Sequence, residues 1–169
     1  IGQSCFSGCT NLQSINLGNS VENIPEETFS GCSSLKEISL PQSVKTIDKK
    51  AFCGCTNLQS VNLGNSIETI SEEAFYGCSK LTEVSLPKSM KTIGRKAFCG
   101  CSSLENVEYS DKVSVDIDAF LGTLVKDSYL FPEFKYYGKI LPSQWKSDTP
   151  TGTTMLKVNR GIREGLAFS

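Results

Sequence analysis

Histidine is absent from the 169-residue chain. Its absence removes Ser-His-Asp and Cys-His catalysis and every imidazole metal site. An excess of charge of one sign is also lacking: 17 Lys and Arg stand against 18 Asp and Glu, a net charge of −1. No global field draws the chain to nucleic acid or to an anionic membrane. No segment approaches the ~18 apolar residues of a membrane span. There is no phosphate-binding glycine loop, no Asn-x-Ser/Thr acceptor, and no acid pair outside a repeating charge pattern. An active site needs perturbed groups converging in a pocket. The chain therefore reads as non-catalytic, with no cofactor and no metal.

What is present is a repeat. Gly8-Cys9, Gly31-Cys32, Gly54-Cys55, Gly77-Cys78 and Gly100-Cys101 recur every 23 residues. A period of this length, held without a slip, marks a solenoid of stacked units. The units run from Gly8 to Ser30, Gly31 to Cys53, Gly54 to Tyr76 and Gly77 to Cys99, with a degraded fifth from Gly100. Each reads Gly-Cys-x-x-Leu-x-x-(Ile/Val)-x-Leu, then Ser-(Val/Ile/Met)-x-x-Ile, then (Ala/Thr)-Phe. Alternating apolar residues after Leu predict a short strand with one buried face. Ile15 and Leu17 point in; Ser14 and Asn16 point out. A second short extended stretch falls near Val21 to Ile24. Gly or Pro follows the strand, and the Ala-Phe-x-Gly-Cys corner reads as a short helical turn. One residue is lost near Val115 before Ala119-Phe120 restores the pattern. Ile1 to Phe6 reads as the tail of a repeat, as if cut from a longer protein.

The fourth unit, from Gly77-Cys78-Ser79-Lys80-Leu81 through Val84, Leu86, Pro87, Met90 and Ile93 to Ala97-Phe98, resembles the BspA-like leucine-rich repeats. These are 23-residue repeats of surface proteins in anaerobic bacteria and parasitic protozoa. The resemblance covers residues 1 to about 120. It implies a mainly β solenoid with short helical turns, a right-handed stack of about five coils. It also implies surfaces that bind proteins or host matrix, and it brings no catalytic residues. The expected domains are a solenoid over 1–120 and a non-repeat C-terminal cap and tail over 121–169.

A second period of 46 overlies the first: Gly8–Cys53 and Gly54–Cys99 are identical at 33 of 46 positions. Charges follow it. Glu22, Lys45, Glu68 and Lys91 share one repeat position. Glu26-Glu27, Lys49-Lys50, Glu72-Glu73 and Arg95-Lys96 share another, with Asp116 and Asp118 continuing the alternation. Neighbouring strands lie ~4.8 Å apart, so acid faces base along each column. A one-coil slip would set like charges together. These charges read as register control.

Eight cysteines suggest a disulfide framework. One thiol per coil with parallel Cβ vectors argues instead for a column of buried, unpaired thiols. Cys5 occupies the small-residue position of Ala51, Ala74 and Ala97 and is expected to be buried.

The outward strand positions form the candidate binding face: Ser14, Asn16, Glu37, Ser39, Ser60, Asn62, Glu83, Ser85, Asn106 and Glu108. They are small, polar or acidic, and suit weak, multivalent or glycan-directed contact. Tyr109 falls on the inward register. Aromatics gather after residue 121, where Tyr136, Tyr137 and Trp145 are candidate tail contacts. Function reads as a non-catalytic protein-interaction or adhesion module of a cell-surface or secreted protein. Its partner would be a protein or a host-matrix or glycan ligand, with no nucleic acid and no membrane span. The alternative is a structural spacer or cytoplasmic scaffold built on the same repeats.

Overall fold

The computed structural model describes residues 1–109, 112–116 and 118–125, within one compact unit, Ile1–Val125. Its strands are short because each turn of the solenoid spends few residues on any side. They are β1 (Asn23–Ile24), β2 (Glu37–Ser39), β3 (Thr46–Ile47), β4 (Ser60–Asn62), β5 (Thr69–Ile70), β6 (Glu83–Ser85), β7 (Thr92–Ile93), β8 (Asn106–Glu108) and β9 (Ser114–Val115). Two parallel sheets result, ordered β1-β3-β5-β7-β9 and β2-β4-β6-β8. From β1 to β8, except where β7 meets β9, each paired residue meets the one 23 positions on, as in Ile24↔Ile47 and Ile38↔Val61. Stacking of equivalent positions is what a strict 23-residue period requires.

Each coil buries the same residue set. In the third coil Cys55, Leu58, Val61, Leu63, Ile67, Ile70, Ala74 and Phe75 are all buried. Phe6, Phe29, Phe52, Phe75, Phe98 and Phe120 form one column, with ring centroids 5.1–5.3 Å apart and planes within 12°. Offset stacking at this separation adds ~0.5–1.5 kcal/mol per pair beyond burial.

The corner expected as a short helical turn is a chain of single turns. Lys50 N–H donates to Lys50's neighbouring coil at Glu72, while Cys53 N–H donates back to Lys50 and Cys55 N–H to Phe52. Helix cannot propagate, because two residues at each corner lie in the left-handed region. These are Glu27, Lys50, Glu73 and Lys96 (φ +53° to +56°), and, four on, Gly31, Gly54, Gly77 and Gly100 (φ +71° to +75°). Glycine takes that conformation without strain, whereas the charged residue does so at a cost of ~1–2 kcal/mol.

The two ends differ from the middle. In the first coil Phe6, Leu12, Ile15 and Leu17 are only half-buried, and Ser14 to Asn16 join no strand. Cys5 and Cys9 are exposed, against the expectation of burial, because nothing stacks on the outer side of that coil among the described residues. In the fifth coil the pairing offset falls from 23 at Ser85↔Glu108 to 22 at Thr92↔Ser114. The missing residue thus lies between Glu108 and Ser114, before Val115, and Phe120 still joins the ring column. Of the expected cap over 121–169, residues 126–169 lie outside the described residues. Leu121 and Leu124 are exposed and Val125 is buried.

Candidate binding face

The sheet β2-β4-β6-β8 carries eight of the ten outward residues singled out from the sequence. Each of its strands has an exposed–buried–exposed pattern. Register aligns Glu37, Ser60, Glu83 and Asn106 in one column. Ser39 lies beside Asn62, and Ser85 beside Glu108, in a second. Ser14 and Asn16 are exposed but sit on the unpaired segment of the first coil. Among the described residues the side chains of Glu37, Ser39, Ser60, Glu83, Ser85, Asn106 and Glu108 make no hydrogen bond within the chain. The two odd-coil asparagines are partly engaged: the side-chain carbonyl oxygen of Asn16 accepts from Gly18 N–H at 2.9 Å, and that of Asn62 from Gly64 N–H at 3.0 Å. Tyr136, Tyr137 and Trp145 lie outside the described residues.

The face is not uniform. β2 pairs with β4, and β6 with β8, over three positions each, but β4 pairs with β6 only at Ser60↔Glu83. Leu40 N–H donates to Asn62 at 2.8 Å. The equivalent bond from Leu63 to Ser85 has no counterpart among the described residues. A groove of about 360 Å³ opens there, lined by Ser60, Asn62, Glu83 and Ser85 with Asn65 and Pro87 at its turn end and Val61, Leu63 and Leu86 contributing apolar surface. That volume is at the small end of the ~300–1,000 Å³ typical of ligand sites. One coil below, Gln42 crosses the corresponding seam and accepts from Asn65 N–H at 3.0 Å. Asn65 takes Gln42's place one repeat on and is one methylene shorter. Sequence reasoning named four of the groove residues, but it missed Gly64, Asn65, Leu86 and Pro87. The signal was available in the Gln-to-Asn change at one repeat position.

Away from this face the charge columns pair between coils. Lys49 meets Glu72 at 2.9 Å, Lys50 meets Glu73 at 3.7 Å, Lys91 meets Glu68 at 2.6 Å and Arg95 meets Asp118 at 3.5 Å. Hydrogen bonding to Lys91 holds the Glu68 carboxyl below its ordinary range, and Lys49 does the same to Glu72. Glu22 and Lys45 form no ion pair among the described residues. Asp116 does not join a cation; burial and a hydrogen bond with Asp118 push its carboxyl up instead. At the corner, Tyr76 is 41 % exposed, in the repeat position that holds Cys53 and Cys99. The repeat motif leaves this position open, as x in Ala-Phe-x-Gly-Cys, and so does not mark it.

The cysteine column is buried at Cys32, Cys55, Cys78 and Cys101, and all eight thiols are free. Each buried thiol donates to the phenylalanine carbonyl of the preceding coil, from Cys32 to Phe6 at 3.1 Å through Cys101 to Phe75 at 3.1 Å. Burial pushes the Cys55 thiol up to about 12, so it stays protonated and inert.

Parallel short strands, a buried Leu/Ile/Phe set per coil and an exposed polar strand face define a leucine-rich repeat solenoid. The family model described as BspA type leucine rich repeat region matches residues 1–125 in six copies, and the chain belongs to that family. A leucine-rich repeat protein from Bacteroides ovatus is 38% identical with a TM-score of 0.64; the match covers 67% of this chain and 29% of that one. A leucine rich cell surface protein from Faecalibacterium prausnitzii is 33% identical with a TM-score of 0.59, covering 63% of this chain and 28% of that one. The T. pallidum leucine rich repeat protein, 24% identical with a TM-score of 0.62, shares the fold over 77% of this chain and 72% of its own. The chain thus spans under a third of the Bacteroides and Faecalibacterium proteins. No curated protein matches it.

Proposed function

We propose that this chain is a non-catalytic interaction module of a cell-surface or secreted protein, engaging an extracellular protein or matrix ligand through the face of sheet β2-β4-β6-β8. The observation that carries this is the set of register-aligned polar side chains on four strands, exposed and with no side-chain hydrogen bond among the described residues for seven of them. Seven such side chains present donors and acceptors already free of internal competition. The surface assignment draws support from the Faecalibacterium relative, which is described as a cell surface protein. Without large anchor residues each contact is weak, and binding gains from repetition along the stack. Residues 121–169 serve in this reading as cap and tail, with Tyr136, Tyr137 and Trp145 as added contacts.

Surface plasmon resonance of the full chain against purified extracellular-matrix proteins tests this. Ser39→Arg with Asn106→Arg is expected to lower capture at least ~10-fold, about 1.4 kcal/mol, with the thermal melt unchanged. Should Tyr76→Ala abolish capture while the strand-face variant retains it, the corner is the binding surface and the assignment falls. A Tyr136→Ser, Tyr137→Ser, Trp145→Ser variant with full capture removes the tail from the reading.

A further inference from the structure

We infer that the open seam between the third and fourth coils is a subsite for a linear, neutral polysaccharide, and that the seam between the first and second coils is its copy. This rests on the interaction reading above and gives that face a ligand chemistry. A sugar ring presents hydroxyls that donate and accept at short intervals, above a C–H face. The groove supplies the matching groups. Ser60 and Ser85 hydroxyls donate and accept, the Glu83 carboxylate accepts from two adjacent hydroxyls, and Asn62 keeps its NH₂ to donate because its carbonyl oxygen is held by Gly64 N–H at 3.0 Å. Leu86 and Pro87 offer apolar surface to the C–H face. No Lys or Arg lines the groove. A sulfated or carboxylated polymer would set its charge against Glu83 with no cation to offset it. A peptide side chain would find no deep apolar pocket to anchor in.

The copy follows from the 46-residue period. Ser14, Asn16, Gly18, Asn19, Glu37, Ser39, Leu40 and Pro41 repeat Ser60, Asn62, Gly64, Asn65, Glu83, Ser85, Leu86 and Pro87 residue for residue. The turn agrees: Asn16 accepts from Gly18 as Asn62 does from Gly64, while Ser14 to Asn16, unlike Ser60 to Asn62, join no strand. The intervening seam is crossed by Gln42. Equivalent sites therefore recur every second coil, ~9.6 Å apart by strand spacing. An extended β-linked glycan repeats every two sugars over a similar length, so successive sites meet the same sugar in the same orientation.

The test uses the full chain on an array of neutral, sulfated and carboxylated glycans, then calorimetry with β-1,4-linked di- and tetrasaccharides of the neutral class retained. Retention of neutral glycans is expected, with the tetrasaccharide binding at least ~10-fold more tightly than the disaccharide. Asn62→Ala with Glu83→Gln should lower tetrasaccharide affinity at least ~10-fold. Asn16→Ala with Glu37→Gln should remove the tetrasaccharide's advantage and halve the disaccharide stoichiometry. Lys45→Gln, exposed beside the opposite sheet, should leave both unchanged. Retention of anionic glycans alone or of none, length-independent affinity, or indifference to the Asn62/Glu83 variant overturns the inference. If glycans fail while Ser39→Arg with Asn106→Arg still abolishes capture of matrix proteins, the interaction reading stands and only the ligand chemistry falls.

Discussion

Phe75 sits between Phe52 and Phe98, at 5.1 and 5.2 Å, fully buried. Its side chain completes two coils at once, so truncation opens a void that neither neighbour can fill. Phe75→Ala is expected to cost ~3–5 kcal/mol in urea unfolding, and Phe75→Leu distinctly less. The thiols offer a second residue-scale measurement. Cys5 and Cys9 are exposed, whereas burial raises the Cys32 and Cys55 thiols. A thiol reagent on the native chain should modify Cys5 and Cys9 first, and reach Cys32, Cys55, Cys78 and Cys101 only on unfolding. Equal labelling rates across the column would contradict its burial. The sequence identified the column but not the exposure of its first member. Burial of a small thiol depends on a coil stacked against it, and a residue-by-residue pattern does not record whether one is there.

At the scale of the element, cross-coil ion pairs add to turns whose phenylalanines already stack. Lys49→Glu with Lys50→Glu turns two attractions into repulsions against Glu72 and Glu73. The melt should fall at low salt, and raised salt should recover much of the loss, since exposed charges are screened over ~10 Å at 0.1 M. The acid limb has a defined sign. Glu68 and Glu72 titrate below their ordinary value in the fold because Lys91 and Lys49 hydrogen-bond their ionised forms. Their stabilisation is therefore complete above the ordinary carboxylate range and is lost as pH falls through the lowered values. Glu72→Gln should flatten this part of a stability-against-pH curve, and an unchanged curve would refute the linkage. The strands and their inward residues were legible in the sequence, because alternation and a 23-residue period are local signals. The turns were not: left-handed Lys50 and Glu73 carry no sequence mark, unlike Gly54 and Gly77. Nor was the groove, which depends on whether Gln42 or Asn65 reaches across to a neighbouring coil.

At the scale of the whole stack, residues 1–125 form a one-dimensional array in which each coil answers to its neighbours. Deleting residues 54–99 removes two coils and sets Lys49 and Lys50 against the acidic fifth coil, as Arg95 now meets Asp118. Deleting residues 54–76 alone sets Lys49 and Lys50 against Arg95 and Lys96. The longer deletion is thus expected to be the more stable at low salt, a reversal of the usual order in which fewer repeats mean less stability. High salt should narrow the gap, and circular dichroism with urea titration reads both. The candidate face was visible from the sequence as a list of outward residues. Its division into paired and open seams emerges only when coils are compared two at a time.

The single ladder contact between β4 and β6 has a mechanical consequence. On the opposite edge β5 and β7 remain fully paired, and the Ser89 hydroxyl joins the carbonyls of Asn65 and Ile67 at 2.9 and 2.6 Å. A joint closed along one edge and loose along the other is a hinge. Bending should concentrate at the open seams, between the third and fourth coils and between the first and second, widening and narrowing the groove, while the second and third coils move as a block. Spin labels placed across the seams on either side of the third coil would report a broader distance distribution at the one it shares with the fourth.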